Sequence, residues 1–131
     1  MKVAFTAMVN TPIRNLKENA VIEFKDQALN IGGFYNPFHG TFQCGVPGVY
    51  MFSWSIVINA GFELITSLDV NGVSKGKVIV DNPAHNIGSG SNTFILDLNR
   101  GDVVAVKVLH NSTGAGLLIG RGSSFSGYLL H

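Results

Sequence analysis

Residues able to do chemistry are few and scattered in this chain of 131 residues. Its four histidines, His39, His85, His110 and His131, include no pair at metal-ligand spacing such as i, i+4, so each reads as a loop or surface residue. The single Cys44 excludes an intrachain disulfide and a multi-cysteine metal site, and reads as a buried thiol. No Gly-x-Ser-x-Gly elbow opens a helix and no motif sets an acidic pair for proton transfer, which argues against an enzyme. The run GAGLLIGRG, Gly114 to Gly122, lacks the Lys-Ser/Thr ending of a phosphate loop and reads as loop and strand edge.

The densest polar segment runs from Asp81 to Asn92, DNPAHNIGSGSN, and brings together Asp81, Asn82, His85 and Asn86. An acid, amides, hydroxyls and an imidazole suit hydrogen bonding to sugar hydroxyls or oxygen ligation of calcium. Asn111-Ser112-Thr113 is a glycosylation sequon, meaningful only in the secretory pathway. Arg100-Gly101-Asp102 spells RGD, but the same three residues build a tight turn between two strands, and the turn is the stronger reading.

The elements that would carry these residues are strands. Apolar stretches separated by Gly, Asn, Asp and Pro predict strands over Val3–Met8, Val21–Phe24, Gly40–Cys44, Val49–Asn59, Leu64–Val70, Val73–Val80, Thr93–Leu98, Val103–Leu109 and Ser124–Leu130, and no window holds a helical period. Asn71-Gly72 marks a two-residue hairpin, and Asn99 to Asp102 a second turn. One all-β domain over residues 1–131 follows, of β-sandwich type.

Composition adds a constraint. Charged residues make up only 13% of the chain and the net charge is +1, with no basic run, so nucleic acid is not an expected partner. No apolar run is long enough to insert in a membrane as a helix. The N-terminus lacks a charged region followed by an apolar one, so a secreted form would have lost its signal segment. In GVYMFSWSIVIN, Gly48 to Asn59, alternation puts Tyr50, Phe52, Trp54, Ile56 and Ile58 on one face and Val49, Met51, Ser53, Ser55 and Val57 on the other. Neither face carries a charge, so something must cover both.

The spacing of several residues now becomes informative. Phe24, five residues, Asn30, four residues, Tyr35, six residues, Phe42, five residues, then Gly48-x-Tyr50-x-Phe52-x-Trp54 closely resembles the signature of the globular C1q domain family. Trp54 is the one departure, standing where the family has Phe or Tyr. LDLNRGDVVAVKV and the terminal SSFSGYLLH resemble two further family segments. The resemblance implies a ten-stranded jelly roll of the tumour-necrosis-factor type, associated as a homotrimer. By that analogy Tyr50, Phe52, Trp54, Ile56 and Ile58 fill the core with Phe125 and Leu129, while Val49, Met51, Ser53, Ser55, Val57, Tyr128 and Leu130 face neighbouring subunits.

The resemblance also implies a secreted recognition module. Its first form is a C1q-type lectin of innate immunity that binds microbial carbohydrate or lipopolysaccharide. The alternatives are a cytokine-like or hormone-like ligand for a cell-surface receptor, or self-assembly alone. Ligand contacts are expected at Asp81, Asn82, His85, Asn86 and Asn111, with His39 as an outlying position. No cofactor is required. Calcium at Asp81 is an option that the family suggests, weakened because Asn86 stands where a second carboxylate is expected.

Overall fold

The structure is a computed structural model that describes the chain apart from residues 15, 59–61, 83–86 and 112–117, and it leaves the side chains of residues 62, 82, 111, 118 and 119 undescribed. Among the described residues twelve strands form two antiparallel sheets: β1 Ala4–Met8, β2 Ile13–Arg14, β3 Asp26–Ile31, β4 Tyr35–Asn36, β5 Thr41–Gln43, β6 Gly48–Ile58, β7 Phe62–Val70, β8 Val73–Asn82, β9 Gly88–Leu98, β10 Val103–Asn111, β11 Leu118–Ile119 and β12 Ser124–Leu129. In the first sheet β6 pairs with β9 on one side and β12 on the other, β12 with β1, and β1 with β3. The short β2–β11 ladder joins the end of β6 at Ile58. The second sheet runs β4-β5-β10-β7-β8. Leaving aside the short β2 and β11, ten strands make two five-stranded layers, and the chain crosses between layers after β3, β5, β6, β8, β9 and β10, a jelly roll.

The core lies between the layers. Tyr50, Phe52, Trp54, Ile56 and Ile58 of β6 are all fully buried, as alternation along the strand predicts. Phe5 stacks on Tyr35 at 4.8 Å and meets Phe125 edge-on at 5.0 Å, and Phe42 meets Tyr50 at 5.4 Å, so one aromatic cluster bridges the layers. The family-like spacing thereby gains a physical meaning. Asn30 donates to the Tyr35 carbonyl at 2.9 Å and accepts the Tyr35 N–H at 3.3 Å, while the Tyr35 hydroxyl donates to the Phe24 carbonyl at 2.7 Å. Burial pushes that hydroxyl well above its ordinary pKa, so it remains a donor.

Both expected turns form. Asn71 and Gly72 take φ of 52° and 81° between directly paired Val70 and Val73, as a two-residue hairpin loop requires. Several strands differ from expectation. Val21–Phe24 is not a strand: Val21 makes one bridge to Lys107, because β5 already occupies the same side of β10 at Val103–Ala105. β3, β2, β4 and β11 were not anticipated, since their short or polar sequences lack alternation. β9 begins at Gly88 rather than Thr93, and β8 reaches Asn82, so most of the supposed loop from Asp81 to Asn92 is strand. The long β6 imposes this pairing on small residues, from Ile58 opposite Gly88 to Trp54 opposite Asn92.

Candidate functional site

The registers assemble the outer face of the first sheet row by row. Ile31, Ala4, Tyr128, Met51 and Ile95 stand side by side on β3, β1, β12, β6 and β9, and the next row is Leu29, Thr6, Ser126, Ser53 and Thr93. On the three central strands this face holds no charged side chain. Asp26 and Asp97 occur only on the outer strands β3 and β9. Ile95 is 59% exposed, Tyr128 and Leu29 are each 44% exposed and Ile31 41%, so the apolar row is open in the single chain. Val49, Met51, Ser53, Ser55 and Val57 are half-buried, and Leu130 also. Val57 is partly covered by its own chain, since its N–H donates to Ser123 Oγ at 2.8 Å and its carbonyl accepts Gly120 N–H at 2.7 Å. A shallow groove of about 320 Å³ runs between Thr6, Leu29, Met51, Ser53 and Tyr128. Phe125 is buried inward and Leu129 packs partly against the core.

A second region lies at one end of the other sheet. Asp81 is exposed and stands opposite Glu63, Asn82 pairs with Phe62, and Asn111 pairs with Leu64, so the registers bring Asp81, Asn82 and Asn111 to the same end. His85, Asn86 and the hydroxyl residues of the sequon fall outside the described residues. His110, read from the sequence as a lone surface residue, is held between two carboxylates: Nδ1 is 3.1 Å from Glu18 Oε2 and Nε2 is 3.4 Å from Glu63 Oε1. Among the described residues no group of three His, Cys, Asp or Glu is placed to hold a metal ion. His39 lies apart, exposed in the turn between β4 and β5.

The third region is the RGD turn. Asp102 Oδ1 accepts the Asn71 side-chain amide at 3.0 Å and Oδ2 accepts the Asn99 N–H at 2.8 Å. Those bonds hold its carboxyl below the usual carboxylate range. A carboxylate spent on two internal donors is not presented with Arg100 to a receptor, which favours the turn over adhesion. Arg100 itself is exposed and borders a groove of about 450 Å³ with Phe34, Asn36, Thr41 and Gln43. Sequence reasoning missed this groove, and also Leu29, Ile31 and Ile95 of the apolar face. Correct placement of β3 would have supplied the first two. The groove joins distant segments and leaves no local signal.

Comparison with known proteins follows the same geometry. The family model "C1q domain" matches residues 4–130. The chain is 34% identical over 119 residues to human complement C1q tumor necrosis factor-related protein 2, covering 88% of this chain and 40% of that one. It is 32% identical over 130 residues to the heavy metal-binding protein HIP of Mytilus edulis, covering 98% of this chain and 61% of that one. Complement C1q tumor necrosis factor-related protein 7 of the mouse is 33% identical over 135 residues, covering 100% of this chain and 45% of that one. The chain thus spans about half the length of these relatives. Among solved structures, the globular domain of zebrafish complement 1qA superposes with a TM-score of 0.80 at 22% identity, covering 98% of both chains. Murine APRIL superposes with a TM-score of 0.71 at 14% identity, covering 99% of this chain and 100% of that one.

Proposed function

The chain belongs to the C1q domain family, and from that premise we propose that it is a secreted, homotrimeric recognition protein that binds microbial carbohydrate or lipopolysaccharide. Recognition, not catalysis, is the activity of such a module. The observation that carries the reading is the outer face of the first sheet, where a five-residue row from Ile31 to Ile95 is open and the three central strands bear no charge. A face of that composition is a liability in a lone soluble chain and is explained by burial against further copies. Val49, Met51, Ser53, Ser55, Tyr128 and Leu130 would make that contact, with Val57 at its margin.

Trimerisation gives the sugar reading its force. A single polar site binds a saccharide weakly, whereas three co-oriented sites on a rigid body raise apparent affinity by roughly 10²–10⁴ toward a multivalent surface. The registers bring Asp81, Asn82 and Asn111 to one end of the second sheet, an acid and two amides by residue type, and His85 and Asn86 follow Asn82 in the sequence. A glycan array on the recombinant protein tests this. Binding that is lost in the Asp81→Ala, His85→Ala double variant supports the reading, and silence across all glycans turns it toward a protein receptor. Entry to the secretory pathway would be read directly from glycosylation at Asn111.

A further inference from the structure

We infer that the groove over β4 and β5 is a binding site for an acidic saccharide, with the guanidinium of Arg100 as its anion contact. The inference rests on the carbohydrate reading and adds to the Asp81 end a second, separate region of saccharide contact. The groove is shallow and open, about 450 Å³, so a saccharide would lie against it with one side in solvent. Its parts come from two segments locked together by the backbone. Cys44 N–H donates to the Asp102 carbonyl and Gly101 N–H to the Cys44 carbonyl, each at 2.8 Å, so the Arg100 turn is fixed against the end of β5.

Three chemical elements line it. Thr41 and Gln43 share the outer face of β5, with Phe42 pointing to the core between them, and Asn36 stands directly opposite Thr41. Asn36 Oδ1 accepts the Phe38 N–H at 2.9 Å, which orients the amide and leaves Nδ2 for a ligand. A hydroxyl and two amides are the donors and acceptors that sugar hydroxyls require. Phe34 forms an aromatic wall beside them. A Cβ at Gly45 would collide with its ring and a Cβ at Gly32 would lie 2.9 Å from it, so the ring is seated between two glycines rather than swinging free. A fixed aromatic face offers the C–H face of a pyranose a large contact at little entropic cost.

Arg100 sets the charge of the ligand. The only acid in its own turn, Asp102, is committed to Asn71 and Asn99, and no carboxylate among the described residues pairs with the guanidinium. A planar guanidinium with five donors matches a carboxylate or a phosphate through two parallel hydrogen bonds. One such cation in a groove of this size selects a sugar bearing one anionic group. The anion's source, a sugar acid or a sugar phosphate, is resolved by the choice of probe.

The test is titration of the intact protein with a sialylated trisaccharide, mannose 6-phosphate, and the neutral sugars lactose and mannose. Either anionic probe should bind at least about tenfold more tightly than the neutral ones and should weaken as salt rises. Arg100→Gln should remove that preference, and Gln43→Ala should weaken binding several-fold, with thermal midpoint and oligomeric mass unchanged in both. Equal binding by Arg100→Gln, no preference for anionic sugars, or equally tight binding of a glutamate-rich peptide would overturn the inference. If the protein binds glycans and only the Asp81 end matters, the groove is wrong and the lectin reading stands. If it binds no saccharide of either kind, both fail together.

Discussion

Trp54 shows how a polar atom is managed in the core. Its indole N–H donates to Thr66 Oγ1 at 3.0 Å, and both side chains are fully buried. Thr66→Val keeps the shape and strands the N–H, so it should cost about 1–3 kcal/mol, read from urea unfolding at matched protein concentration. Asp102 makes a different kind of claim. Its pKa is depressed because the Asn71 amide and then the Asn99 N–H bind the ionised form. A depressed carboxyl stabilises the fold above its unfolded pKa and loses that contribution as pH falls through its folded one. Asp102→Asn should therefore be less stable than the parent near neutrality, with the difference closing under acid conditions. Equal gaps at both ends of a pH series of unfolding midpoints would show that the hydrogen bonds to the carboxylate contribute nothing.

Strands carry their constraints in places a pattern of apolar residues does not reveal. Gly127 on β12 is buried, and a Cβ there would lie 2.6 Å from Phe52 and 2.8 Å from Phe5. Gly127→Ala should overpack the aromatic cluster and cost about 1–3 kcal/mol, visible as a lowered thermal midpoint. Period-two alternation made β6 legible, since its inward row is wholly aromatic or branched. The same logic failed for the first half of β9, where Ser and Gly look like loop, and Gly90 is needed because a Cβ would meet Val78 Cγ1 at 2.9 Å. It failed again at Val21–Phe24, where Ile22 and Phe24 are buried but the stretch makes only a single bridge to β10, at Val21. Asp81 and Asn82 stood out in the sequence because polar residues cluster along the chain there, and the registers show only that they lie at one end of the second sheet. The groove beside Arg100 depends on β5 and the β9–β10 turn meeting in space, which no local spacing records.

For the whole molecule, one face decides the account. The outer side of the first sheet is uncharged along β1, β12 and β6 and open along the row through Met51, so an isolated chain would leave it wet. Met51→Asp would place one unpaired carboxylate per subunit in the proposed contact, at several kcal/mol each, and should give aggregated or unfolded protein. A soluble, folded single chain of ordinary stability from that variant would show that Met51 faces solvent. The most direct measurement is the mass of the parent protein by light scattering at micromolar concentration. The account predicts a single species of three chains; a stable population of single chains, with the row from Ile31 to Ile95 exposed, would contradict it.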